Sequence, residues 1–202
     1  MSRIRNLTRR AGLVGAMAGG LALVGTGAAM AVSVLLPPGG SLPTPSTTAA
    51  TEPTLSGFVI PDALVPFKIV TPDGHVLCSG NLQDRVVRSN KTQRLDFYYR
   101  IRDTQGTGAV GRIATLGFGG LALRVAYRTD GLGTVPPRLA ARSAAPGAVV
   151  TLTFSDPPVS CAQHQESRFI LIRTPATTFT SGGKTEIIAT TGPAVSVPTV
   201  MP

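Results

Sequence analysis

A chain of 202 residues with 14% charged side chains, 23 glycines and 17 prolines has too few charges and too many turn formers for a bundle of long solvated helices. With no tryptophan and 5% aromatics, any core must rest on Val, Ile, Leu, Ala and a few Phe. The net charge is +9, of which four leader arginines supply four, leaving +5; without a dense basic run interleaved with aromatics, nucleic acid is not expected as a partner.

Residues 1–31 have the build of an export signal. Arg3, Arg5, Arg9 and Arg10 make a basic start, an apolar Gly/Ala-rich segment follows, and Ala29-Met30-Ala31 offers small residues where a signal peptidase needs them. Cleavage is expected after Ala31. The competing reading is an uncleaved anchor, because the apolar run continues through Val32-Ser33-Val34-Leu35-Leu36 and is then long enough to span a bilayer. Membrane contact is expected only in that case. Residues 32–54 are predicted to be a Pro/Thr-rich linker: their composition favours extended, solvated polyproline II, and 37–54 would reach about 55 Å at ~3.1 Å per residue.

Residues 55–190 read as short strands separated by turn chemistry. Strands are expected at 57–60, before Pro61, and at 65–70. Asp73-Gly74 between apolar runs predicts a hairpin leading into 76–79. A further strand is expected within 82–89. At 94–102, Leu95, Phe97, Tyr99 and Ile101 alternate with Asp96, Tyr98, Arg100 and Arg102, the two-residue period of a half-buried strand. A weaker candidate covers 112–118. The alternation returns at 121–128, where Arg124 and Arg128 take the polar side. Residues 140–145 could form a helical turn before Pro146. Another strand is expected at 149–154, and 168–174, the most apolar, should be buried on both faces. A hairpin is expected around Ser181-Gly182-Gly183-Lys184, and 191–202 should be a loose tail. The fold class that follows is all-β: an antiparallel two-layer sandwich of short strands.

Candidate chemistry is sparse. Cys78 and Cys161 are the only cysteines; in an exported chain they are expected to form a disulfide closing a loop of about 83 residues. Gly106-Thr107-Gly108-Ala109-Val110-Gly111 has the spacing of a dinucleotide loop, but no helix should open after it, so it reads as a mobile connection. His75 and His164 are far apart in sequence, Ser160 lacks a nucleophile elbow, and the acids are scattered. No catalytic residue, metal ligand or cofactor is assigned. The candidate binding residues are Tyr98, Arg100, Arg102, Arg124 and Arg128, which share a face if their strands are neighbours. Such a face would hold an anionic envelope polymer or glycan through guanidinium contacts. The simpler account is a solvated face partly neutralised by Asp96 and Asp103.

Two resemblances add to this. Thr8-Arg9-Arg10-Ala11-Gly12-Leu13 resembles a bacterial twin-arginine signal, departing from it at Gly12, where a large apolar residue is usual. The strand 95–101, as Leu-x-Phe-x-Tyr, and Ser167-x-Phe169-x-x-Ile172-x-Thr174 resemble a loose group of exported, largely uncharacterised bacterial β-sandwich proteins, over residues 55–190. The resemblance implies a secreted or envelope location and carries over no functional residue. Two functions follow as expectations: a non-catalytic structural or binding protein of the envelope, or a hydrolase of cell-wall or other polymer with a site built from loops.

Overall fold

The computed structural model describes residues 32–202; the expected export signal at 1–31 lies outside the described residues. In chain order the strands are β1 (Val34–Leu35), β2 (Ser41–Pro43), β3 (Ser46–Thr47), β4 (Gly57–Val70), β5 (Val76–Ser89), β6 (Leu95–Gly106), β7 (Ala109–Leu116), β8 (Arg124–Arg128), β9 (Leu139–Arg142), β10 (Val149–Thr153), β11 (Val159–Ser160), β12 (Ile170–Arg173), β13 (Thr180–Ala189) and β14 (Ala194–Met201). They form two sheets. The first has the order β1-β8-β12-β6-β5-β4, with β3 beside β8. The second has the order β14-β13-β7-β10-β9-β2, with β11 beside β7. Pairing is antiparallel except for β3 against β8. The two-layer all-β sandwich is therefore as expected.

The core follows from the period of two. Leu95, Phe97, Tyr99 and Ile101 of β6 face inward and are fully buried, with Val125, Ile170 and Ile172 alongside from β8 and β12. From the second sheet come Ile113, Val150, Leu152 and Ile187. β12 is buried on both sides, as its apolar run predicts: Ile170 and Ile172 join the core, while Leu171 joins a smaller outer cluster with Leu55, Val87, Tyr98, Ala126 and Phe169.

Several local expectations change. The strands at 57–60 and 65–70 are one strand, β4, with an irregularity between Val59 and Asp62. Pro61 does not break it because β4 is an edge strand, where a missing N–H leaves no ladder partner unmet. β2 and β14, which hold Pro43 and Pro198, are edges for the same reason. Residues 76–79 and 82–89 likewise join as β5. Of the suspected helical turn at 140–145, residues 140–142 belong instead to the strand β9, and the hairpin expected at 181–184 is a bulge within β13. The Gly-rich segment after β6 is a two-residue crossing from one sheet to the other rather than a mobile loop. The Thr107 and Gly108 N–H groups both donate to Leu77 O. Gly106 has φ +133°, and a Cβ there would sit 2.3 Å from Leu77 O, so this position requires glycine.

Two larger corrections concern the ends of the described chain. Residues 32–54 are not a solvated linker. They supply β1, β2 and β3 and bury Leu36 and Thr47 completely. The buried Arg142 guanidinium donates to Leu36 O, Phe118 O and Gly147 O at 2.8–3.1 Å, which fastens this strap to the sandwich. β1 also means that Val34–Leu35, within the apolar run past residue 31, are strand. Residues 191–202 are not a loose tail either, because 194–201 pair with β13 as β14. Among the described residues no helix is long and apolar enough to cross a membrane.

Cys78 in β5 and Cys161, just after β11, form the expected disulfide, with Cα atoms 5.6 Å apart, joining the two sheets. A second tie is polar. Asp84 points inward from β5 beside Tyr99, and its Oδ2 accepts the Val200 N–H of β14 at 2.8 Å. Its Oδ1 and the Tyr99 hydroxyl are buried without hydrogen-bond partners among the described residues. Burial pushes the Asp84 carboxyl up to about 6, against the lowering effect of the Val200 N–H and with a further rise from Asp62. A raised carboxyl stabilises the fold fully below its ordinary value of 3.8, and that contribution is lost as pH rises through about 6. Asp84→Asn keeps an acceptor for Val200 and removes the buried charge. It is expected to gain about 1–3 kcal/mol at pH 7.5 and nothing at pH 3.5. Urea melts at the two pH values check this; an equal effect at both would contradict it.

Candidate binding surface

The outer face of the first sheet carries the residues that alternation puts opposite the core. β6 and β8 do share this face, but they are not neighbours: β12 lies between them and pairs with both. The registers build a row across five strands, Val87, Asp96, Arg173, Arg124 and Leu35, on β5, β6, β12, β8 and β1. A second row holds Arg85, Tyr98, Leu171 and Ala126. The strap then crosses part of this face through the 3₁₀ turn Pro53–Leu55, whose Leu55 joins the outer cluster. The face that alternation alone would leave to solvent is thus half covered.

Two hollows remain. The first is a cavity of about 460 Å³ lined by residues that include Gln83, Arg85, Tyr98, Arg102, Arg128 and Phe169. The Tyr98 and Phe169 rings meet edge to face, with centroids 6.1 Å apart. The Arg85 and Arg100 guanidiniums lie 4.8 Å and 5.5 Å from the centroid of Phe169, within the range of cation–π attraction. Charge is matched group by group. Arg85 pairs with Asp62 at 2.6 Å, Arg102 with Asp103 at 2.9 Å and Arg128 with Asp130 at 2.6 Å. Arg128 also donates to the Tyr98 hydroxyl at 3.3 Å. Burial, then the Asp96 charge, push that phenol up to about 12. The Arg128 hydrogen bonds hold the Asp130 carboxyl below its usual value.

The second hollow is a groove of about 580 Å³ beside the strap, lined by residues that include Thr54, Thr92, Arg94, Asp96, Arg124 and Arg173. Arg173 donates to Asp96 at 3.2 Å and to Glu52 at 3.0 Å. Glu52 also accepts the Ser33 N–H, the Ser33 hydroxyl and the Thr47 hydroxyl at 2.7–2.8 Å. Burial raises its carboxyl, but these hydrogen bonds and the Arg173 charge outweigh burial and hold it below its usual value. Asp96 goes the other way: burial pushes it up to about 6 despite Arg173.

The five residues singled out from sequence therefore divide. Tyr98, Arg102 and Arg128 line the cavity, and Arg124 lines the groove, where it donates to the Ser33 hydroxyl at 3.2 Å and to Ser33 O. Arg100 lies beneath the surface, 3% exposed and paired with Glu166. Of the two acids expected to neutralise the face, Asp103 pairs with Arg102 and Asp96 with Arg173. Arg85, Arg94, Phe169 and Arg173 were missed. Arg85 lies in β5 and Phe169 just before β12, both within stretches expected to be strand, and Arg173 closes β12. What was lacking was the strand order that brings them together. Glu52 left no signal, because its role depends on the strap folding back.

His75 is exposed at the β4–β5 turn, near Asp73 at 3.5 Å. His164 Nδ1 is within 2.8 Å of Thr104 O, and the Ser160 hydroxyl accepts the Gln163 N–H at 3.3 Å. Neither side chain lines either hollow. Among the described residues no group of three His, Cys, Asp or Glu is placed to hold a metal ion.

Comparison of the chain with protein-family models, with curated proteins and with solved structures finds no match.

Proposed function

We propose that this is an exported bacterial protein of the envelope or the medium that binds without a catalytic step, through the outer face of its first sheet, an acidic envelope polymer or glycan. The observation that carries this reading is the pair of hollows on that face, edged by guanidiniums. Guanidiniums suit carboxylate and phosphate groups through paired N–H donors. Export is supported by the leader chemistry and by the Cys78–Cys161 disulfide, which suits an oxidising compartment. It is also supported by the strap: the chain is fastened from Ser33 onward, so a boundary after Ala31 would leave every tie of the strap intact.

One preparation tests both parts. The protein recovered from the producing cell's envelope or medium should begin at Val32 by mass spectrometry; an intact leader would contradict cleavage. The same protein should bind polygalacturonate or polyphosphate immobilised on a sensor surface. That binding should weaken steeply between 20 and 150 mM salt, on the order of the screening expected for exposed charges. Absence of binding to both polymers, or release of soluble fragments from either, would overturn the non-catalytic binding reading.

A further inference from the structure

The two hollows differ in charge, and the difference selects one of them. Around the cavity, Arg85, Arg102 and Arg128 each hold a carboxylate. In the groove, Arg173 is shared by Glu52 and Asp96, and the other two guanidiniums make no ion pair among the described residues. Arg124 donates to two neutral oxygens of Ser33, which orients its guanidinium without cancelling its charge. The Arg94 side chain is exposed and makes no hydrogen bond among the described residues.

Register explains the arrangement. Arg173 and Arg124 are direct partners across β12 and β8, and paired Cα atoms on antiparallel strands lie about 4.5–5.5 Å apart. Like charges that close repel unless an anion lies between or beside them. Glu52 answers from the strap, bound to Arg173 and one Ser33 hydroxyl away from Arg124, and Asp96 answers from the β6 side. Its Oδ1 is bound to Arg173, and its Oδ2 is buried, so neither oxygen reaches Arg124. Arg94 lies just before β6, where Thr174 N donates to Leu95 O, and Pro175 also lines the groove. The groove is therefore lined by two guanidiniums, Arg94 and Arg124, that make no ion pair among the described residues, together with Arg173 and the hydroxyl-bearing Thr54 and Thr92. No aromatic residue lines it.

We propose that this groove is the anion-binding subsite of the outer face, and that Arg94 and Arg124 clamp one oxyanion group, a carboxylate or a phosphate, of an acidic polymer. This rests on the binding function proposed above and goes further by naming the subsite and the group it takes. The strap is part of the site, because Ser33 aims Arg124.

The test uses the purified protein on polygalacturonate, which carries carboxylates, and on polyphosphate. Arg94→Glu is the informative variant, since that side chain holds nothing in place. It should weaken binding at least tenfold with an unchanged melting temperature. Arg124→Gln should weaken binding by a similar factor. Lys184→Glu makes the same charge change on the exposed side of β13 in the other sheet, and should leave affinity within about twofold. The polymer bound more tightly identifies the group. Wild-type affinity in both arginine variants, with the unmodified protein still binding, would overturn the groove while leaving the binding function standing. An unmodified protein that binds neither polymer would remove the function itself. Binding to vesicles of anionic phospholipid and to neither polymer would overturn the proposal in favour of a membrane surface.

Discussion

Replacing Glu52 by alanine is expected to cost about 3–5 kcal/mol of stability at pH 7, the loss typical of breaking a buried ion pair from one side. Glu52 is 8% exposed, and its two oxygens accept the Ser33 N–H and the Ser33 and Thr47 hydroxyls of the strap, and Arg173 of β12. Without it, Arg173 keeps only Asp96 as a counter-ion, and the Ser33 donors lose their acceptor. The sign with pH follows from the direction of the shift. A carboxyl held below its ordinary value of 4.5 contributes its stability above that pH, and loses it as pH falls through the lowered folded value. Glu52→Ala should therefore be less damaging at pH 2, below the usual carboxylate range, than at pH 7. Urea midpoints at both pH values check this. Hydrogen exchange should also show faster exchange at Ser33 and Leu36 than in β6, because the strap opens before the sandwich does. A loss under about 1 kcal/mol at pH 7 would mean that the strap is held mainly by Leu36 and Arg142.

The second large effect belongs to the cross-link. Cys78→Ala with Cys161→Ala is expected to lower stability by about 4–5 kcal/mol if the bond acts mainly by limiting the unfolded chain, since it closes a separation of 83 residues. Both sulfurs sit in the core, and alanine leaves only small voids there, so packing loss is the lesser part. The entropic account also predicts where the change appears: the unfolded state expands, and the urea m-value rises as more surface becomes exposed. An unchanged m-value with a loss below about 2 kcal/mol would assign the bond a local packing role instead.

Strap and disulfide show different degrees of legibility in the chain. The disulfide could be anticipated because the chain's only two cysteines have one possible partner each. The strap could not. Residues 32–54 hold few large apolar side chains beyond their first five positions, and Leu36 and Leu42, like Leu55 just after them, look incidental until they meet a surface. Their prolines suggest solvated chain, yet the same fixed φ also suits an edge strand such as β2, as it does β4 and β14. The candidate surface was half legible. Alternation put Tyr98, Arg102, Arg124 and Arg128 on one face. It could not show that Arg100 would be covered and paired with Glu166, or that Arg128 would turn to Asp130.

Apart from the cysteine pairing, which follows from there being only two, what the amino-acid order determined by itself is local: the two-residue rhythm of the strands, the turn at Asp73-Gly74 and the double burial of β12. These depend on the direction of successive Cβ atoms and on backbone freedom, which neighbours along the chain decide. The tertiary structure decided which strands lie side by side, and through that which arginines are neutralised and which are left with charge to spare. β12 enters between β6 and β8 from about 70 residues after one and 45 after the other, a choice set by burial of the whole core. No short-range pattern records such a choice, because the free energy that selects it is shared among residues far apart in the chain.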